Sequence, residues 1–240
     1  MKKYLFICGC PRSGTSALCK LVNIHESMCI GLERYFNIIL KHNTLEPQLF
    51  EKDRYLNYMD GDSFWKQLPE HDSLESKFDS AEFVGEKLPR LYERFELLKQ
   101  NFPFSQVYIL FIFRDLISVA ESYQRRAQDE DDKFWGRAQN WEVATKDWTS
   151  ANKMYHKYKS ELNILPIKYE ALLNCTNLEY FKNELKNITD FLGTREFNKD
   201  ELTIACNRFF GRTEIHGVDN LLPDSAIELI ANISQSNLSP

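Results

Sequence analysis

Hydrophobic positions along the chain change period several times, and each change marks an element. The run Tyr4-Leu-Phe-Ile-Cys8 is mostly apolar and leads into Gly9-Cys-Pro-Arg-Ser-Gly-Thr-Ser16. Beyond it, apolar side chains recur at Ala17, Leu18, Leu21, Val22 and Ile24, the spacing of one buried helix face. Met28-Cys-Ile30 is a candidate second strand, and Glu33-Arg34 opens a helix-like stretch with Phe36, Ile39 and Leu40. Residues 44–80 mix charge, aromatics and turn signals, which predicts short helices and loops over one edge of a sheet. Phe83-Val-Gly-Glu-Lys87 is a strand stopped by Pro89, followed by a helix with Leu91, Phe95, Leu98 and Phe102 in step. Val107–Phe113 is apolar throughout, as expected of a central strand covered on both faces. It ends at Arg114-Asp115 and gives way to a helix with Leu116, Val119, Ala120, Tyr123 and Ala127 on one side. After an acidic loop at 129–132, helical spacing from Phe134 through Ala138, Trp141, Trp148 and Tyr155 to Tyr158 predicts one long helix whose aromatic stripe is core. Residues 164–169 form another strand, placed near an edge by Pro166. Thr176-x-x-Glu179 reads as a capping box for a helix closed by Gly193, and a last helix starts at about Asp224.

Strands alternating with helices predict an α/β single domain over residues 1–240, with a mainly parallel central sheet flanked by helices. Residues 34–80 are read as an acceptor-side insertion in it. Ligands of such sheets sit outside the carboxyl ends of the strands. That rule gathers the loop at 9–16, Lys87, Arg114, and Tyr169 with Glu170, each directly following a predicted strand. A strand, a tight loop and a helix N-terminus together aim backbone N–H groups at one anion. Gly9 and Gly14 stand five apart as in a Walker A loop, but Thr15-Ser16 occupy the positions of its Lys-Ser pair. The cation lies inside the loop instead, as Arg12, whose guanidinium can form a forked contact with phosphate oxygens. The competing reading is a plain turn with Ser13 as helix cap.

Composition narrows the partners. With 240 residues, 43% of them hydrophobic, the chain can bury a full core. A net charge of −5 offers nothing to nucleic acid or an anionic membrane, so a polyanionic ligand must be held by local arginines. Met1-Lys-Lys precedes only five apolar residues, too few for a signal peptide, and no run suffices for a membrane span. The six cysteines lack CxxC spacing, which favours free thiols and a cytoplasmic location. Oligomeric state leaves no mark in the sequence.

Pro11-Arg-Ser-Gly-Thr-Ser16 resembles the 5′-phosphosulfate loop of sulfotransferases that use 3′-phosphoadenosine 5′-phosphosulfate (PAPS). In wording it is most similar to the tyrosylprotein and bacterial branches. Arg114-x7-Ser122, after a hydrophobic strand, resembles the 3′-phosphate motif of the same family, in the family's order. Gly31-Leu-Glu33 falls where the tyrosylprotein branch has Gly-Glu-Glu, Glu86-Lys87-Leu-Pro89 resembles its Asn-Lys-Asp-Pro, and Tyr169-Glu-Ala-Leu172 its Tyr-Glu-x-Leu. The resemblance spans residues 4–193 and departs from the branch over 34–80, where Arg34-Tyr35 stands in place of Thr-Arg.

The resemblance implies a P-loop-like fold and transfer of a sulfuryl group from PAPS to a hydroxyl or amine acceptor, leaving adenosine 3′,5′-bisphosphate (PAP), without a metal. It implies Arg12, Ser13, Gly14, Thr15 and Ser16 on the 5′ side, Arg114 and Ser122 on the 3′-phosphate, and Tyr169 near the adenine. Arg212, in the basic turn Phe209-Phe-Gly-Arg212, is a further candidate for the 3′-phosphate. It also implies Glu33 as base and Lys87 as support for the sulfuryl group. Without the family, the favoured reading of Glu33 is a first-turn carboxylate stabilising a helix N-terminus. His25 is the alternative base, and the acceptor's class stays open. A P-loop kinase or NTPase and a non-catalytic nucleotide-binding protein remain as competing functions.

Overall fold

Five strands lie side by side in one parallel sheet in the order β2-β3-β1-β4-β5. They are β1 (Lys3–Gly9), β2 (Met28–Leu32), β3 (Phe83–Lys87), β4 (Val107–Phe113) and β5 (Ile164–Lys168). The structure is a computed structural model that describes residues 2–63, 70–133, 135–211 and 221–236. Ten α-helices are present among them: α1 (Thr15–Val22), α2 (Lys52–Leu56), α3 (Glu70–Phe78), α4 (Phe95–Asn101), α5 (Leu116–Gln128), α6 (Trp141–Tyr158), α7 (Tyr169–Leu172), α8 (Leu178–Leu192), α9 (Lys199–Phe209) and α10 (Asp224–Ser236). A π-helix at Asn37–Lys41 and 3-10 helices at Pro47–Phe50, Pro89–Arg94 and Phe104–Gln106 lie between them.

Alternation along the strands builds two cores, one on each face of the sheet. Leu5, Ile7, Met28, Ile30, Leu110 and Ile112 face α1, α7 and α8. Phe6, Cys8, Cys29, Val84, Ile109 and Phe111 face the other way, towards α4, α5, α6 and the segment from Tyr35 to Tyr55. Both faces being covered explains the uninterrupted apolar run of β4. The central strand is nevertheless β1, and β4 lies between it and the edge strand β5. Pro166 stands on that edge strand, as expected of a residue that cannot donate to a ladder.

Three sequence expectations are corrected. The long helix starts at Trp141 rather than 134, because the Asn140 side chain accepts from the N–H groups of Glu142 and Val143 and caps it there. Ahead of it the chain turns, with Trp135 Nε1 donating to the Gln139 carbonyl at 2.8 Å and Arg126 pairing with Asp132 at 2.5 Å; Phe134 lies outside the described residues. Helix α8 is capped by Asn177, which accepts from Tyr180 N at 3.0 Å, not by Thr176. The reciprocal capping box of this chain is Asn198 with Glu201, which starts α9, a helix the hydrophobic pattern did not reveal.

From β1 the chain crosses outward to β2 and returns through β3, and only afterwards does it build β4 on the other side of β1. The carboxyl ends of β1 and β4 therefore flank the point where the winding reverses, the place where such sheets leave a crevice.

Candidate active site

The loop leaving β1 lies at that crevice. Gly14 is the N-cap of α1, at φ 93°, and offers no side-chain cap; the first turn contains no acidic residue. A Cβ on Gly14 would stand 2.6 Å from the Tyr169 ring, so both backbone conformation and space demand glycine. Ser13 is buried and its N–H donates to the Cys10 carbonyl at 3.1 Å, so it closes the loop rather than capping the helix. Arg12 adopts φ 71°, left-handed backbone that costs a non-glycine residue about 1–2 kcal/mol. Its exposed side chain turns to α5, where Nε donates to Ser122 Oγ at 2.9 Å. Arg114, buried at the end of β4, donates from Nη1 to the Arg12 carbonyl at 3.3 Å. Its guanidinium lies 4.2 Å from the centroid of the Tyr169 ring, within cation–π range. Arg12, Gly14, Arg114, Ser122 and Tyr169 thus form one contiguous wall drawn from three strand ends and a helix.

A second group closes the other side. Lys87, the last residue of β3, is 1% exposed, and its Nζ donates to Ser16 Oγ at 2.9 Å. The same ammonium forms an ion pair with Glu33 Oε1. Glu33 follows β2 at φ 58°, its N–H donating to the Lys87 carbonyl at 2.9 Å. Arg12, Glu33 and Asn43 are the non-glycine residues with positive φ among those described, and two of the three stand in this site. Strained backbone gathered at one spot is a pointer to function. Ser16, exposed at the start of α1, links this group to the loop.

Sequence reasoning missed the support for these residues. Trp148 on α6 donates from Nε1 to the Arg114 carbonyl at 2.9 Å. Beside it, Asp147 accepts from Arg90 Nη2 at 2.5 Å and from the Tyr123 hydroxyl at 2.7 Å. Asp147 therefore ties the turn after Lys87 to the residue next to Ser122. Burial, followed by Cys10 and then the Asp147 charge, pushes the Tyr123 hydroxyl well above its ordinary value, and burial followed by the Asp147 charge does the same to the Cys10 thiol. Cys10 accordingly stays a thiol, which excludes it as a nucleophile although it lies in the loop. The aromatic periodicity of α6 places Trp148 in the core without revealing that its ring N–H serves the site.

His25 is elsewhere. It precedes β2, at the amino ends of the strands, where Nδ1 accepts from Ser27 N at 3.1 Å and Nε2 donates to the Arg195 carbonyl at 3.0 Å. Both ring nitrogens are engaged and the residue is fully buried, so it cannot reach the Glu33–Lys87 group. Arg212 lies outside the described residues. Among the described residues no group of three or more metal-ligating side chains forms, and no helix is long and apolar enough to cross a membrane.

A parallel α/β sheet with a glycine-formed, arginine-bearing loop at its switch point is the architecture of the P-loop-like α/β proteins. The family model described as the sulfotransferase family matches residues 5–198, and the chain belongs to that family. Solved sulfotransferases share the fold. A Mycobacterium tuberculosis H37Rv sulfotransferase, STF1, superposes with a TM-score of 0.56 at 15% identity, covering 97% of this chain and 76% of that one. A mouse sulfotransferase, SULT7A1, complexed with PAP, superposes at 0.55 with 17% identity, covering 99% and 85%. The sulfotransferase domain of the curacin biosynthetic pathway gives 0.53 at 16% identity, covering 100% and 93%. No curated protein sequence matches the chain. Family membership sets aside the kinase and NTPase readings.

Proposed function

We propose that this protein transfers the sulfuryl group of PAPS to a hydroxyl acceptor, with Glu33 as base. The observation that carries the reading is Lys87, a buried ammonium that touches Ser16 of the anion loop and Glu33 at once. A single cation thereby connects the donor side to a carboxylate. The residues fit the nucleotide: the loop carries Arg12 and an uncapped helix start, and the wall beyond it supplies Arg114, Ser122 and the Tyr169 ring. PAPS supplies the sulfuryl group and departs as PAP.

Sulfuryl transfer, like phosphoryl transfer, draws most of its catalysis from positioning and electrostatic stabilisation. Arg12, Ser13, Gly14, Thr15 and Ser16 would hold the 5′ end, and Arg114 and Ser122 the 3′-phosphate. Tyr169 would border the adenine. Lys87 would stabilise charge growing between sulfur and the leaving phosphate. Glu33, as the anionic half of an ion pair, holds a carboxylate within reach of Lys87 and takes the acceptor proton. Cationic side chains and backbone N–H groups answer the charge, so the reading needs no metal. Residues 34–63, the first part of the 34–80 stretch, would form acceptor walls; buried Asp62 braces them by pairing with Arg34 at 2.9 Å and Arg54 at 2.5 Å.

Ligand-induced stabilisation tests the donor. At a hundredfold excess over its Kd, PAP should add about 2.7 kcal/mol of stability, whereas ADP with Mg²⁺ should add little. The reverse order would sink the PAPS reading. Turnover of labelled PAPS against phenols, tyrosine peptides, sugars and simple alcohols then tests transfer. Glu33→Gln should keep PAP affinity while kcat falls roughly 10²- to 10⁴-fold. Lys87→Ala should also slow the hydrolysis of PAPS to water, because it serves the donor. Absence of turnover with every acceptor and with water would leave a binding protein.

A further inference from the structure

Glu86 immediately precedes Lys87 on β3 and is wholly buried. A buried carboxylate is costly to a fold, and an apolar residue at this strand position would avoid that cost. Glu86 Oε1 accepts the backbone N–H of Arg34 at 3.0 Å. That N–H belongs to the peptide directly following Glu33, whose φ of 58° is the conformation a side chain resists. On its other flank Glu33 is held by its own N–H, donated to the Lys87 carbonyl at 2.9 Å.

The strand register explains how Glu86 reaches this peptide. Gly31 pairs with Glu86 and Leu32 with Lys87 across the β2–β3 ladder. A Cβ at Gly31 would stand 2.8 Å from Glu86 Oε2, so the glycine provides room for the carboxylate. Alternation sends the Lys87 side chain to the α1 face and Glu86 to the opposite face. Consecutive residues of β3 thus hold the end of β2 from both faces, Lys87 on the Glu33 carboxylate and Glu86 on the peptide after it. Arg34 takes part only through its backbone, because its guanidinium is committed to Asp62 at 2.9 Å.

We propose that Glu86 is a positioning residue: by holding the Arg34 N–H it keeps Glu33 in the left-handed turn that aims its carboxylate at Lys87. Its catalytic meaning rests on Glu33 being the base.

The test compares Glu86→Gln, which retains an accepting oxygen, with Glu86→Met, which has similar length and none. Crystal structures of both with PAP, and their PAP affinities, provide the readout. Glu86→Gln should keep Glu33 at positive φ against Lys87. Glu86→Met should release Glu33 to negative φ and lose the Lys87 ion pair, with PAP affinity unchanged. Gly31→Ala displaces the Glu86 carboxylate without replacing it, should reproduce the Met result, and decides the matter if Glu86→Met does not fold. A Glu33 that stays left-handed and paired with Lys87 in both Glu86→Met and Gly31→Ala would overturn the positioning role alone. Full turnover in Glu33→Gln would instead overturn the base assignment, and with it the catalytic meaning of Glu86.

Discussion

Arg12 and Arg114 carry neighbouring charges with different duties. Arg12 is exposed in the loop and can be removed without opening the core. Arg114 is buried, packed on Tyr169 and bonded to the Arg12 carbonyl. Arg12→Ala should weaken both AMP and PAP, since a charge-assisted hydrogen bond is worth about 1.5–3 kcal/mol. Arg114→Ala should mainly erase the preference for PAP over AMP. Calorimetric titration of both nucleotides checks the pair; an unchanged preference in Arg114→Ala would move the 3′-phosphate site elsewhere. Gly14 is less tolerant than either arginine. Gly14→Ala meets the Tyr169 ring and a positive φ together, so it should lower nucleotide affinity and stability alike.

Among the elements, α6 does more than fill the core. Its residues Asp147 and Trp148 reach the turn after β3, the middle of α5 and the end of β4. A rigid helix is thus the common scaffold for the Lys87 and Arg114 sides of the site. Trp148→Phe retains most of the ring but leaves the buried Arg114 carbonyl without that donor, a loss of about 1–3 kcal/mol. The variant should melt earlier and bind PAP more weakly than AMP binding alone would suggest, because Arg114 loses its anchor. Differential scanning calorimetry with nucleotide titration separates the two effects. A variant with lower stability and intact PAP preference would confine Trp148 to packing.

At the scale of the whole molecule, the amino ends of the strands carry a second polar cluster, which contributes to stability in acid. Burial holds His25 below its ordinary value, against the opposite pull of Glu201. Burial would raise Glu201, but hydrogen bonds from Arg195 and from the N–H groups of Asn198 and Glu26 override it and bring it down to about 2. Both shifts mean that the unfolded chain binds protons first as pH falls. The His25 contribution is therefore complete above its unfolded value near ~6.5 and is lost below it. The Glu201 contribution is lost between ~4.3, its unfolded value, and its folded one. Tm should stay level near neutrality, begin to fall below ~6.5 and fall further below ~4.3. Glu201→Gln should shrink the lower step, to which buried Asp62 also contributes, and a Tm flat from neutrality to pH ~4 would contradict the account.

Local patterns were enough to read the strand order in sequence, the β1–loop–α1 unit, β4 with its following helix, and the wording of the anion loop. Those features depend on residues within a few positions of one another, where hydrophobic period, glycine and turn chemistry act directly. The start of α6 departs from the pattern because the Asn140 cap outweighs a longer hydrophobic rhythm, the cap of α8 because Asn177 rather than the neighbouring Thr176 accepts the free N–H, and α9 is hidden by its weak apolar face. The pairing of Lys87 with Glu33 joins residues 54 apart, and that of Arg12 with Ser122 joins residues 110 apart. Neither leaves a local trace, because only the parallel register brings those strand ends together. The sequence by itself determined which residue types were available for an anion site and roughly where the elements lie. Tertiary structure decided that His25 is at the wrong end of the sheet, that Trp148 and Asp147 support the site, and that Glu86 backs the turn holding Glu33. The physical reason is that register and winding, rather than spacing along the chain, set which side chains share a space.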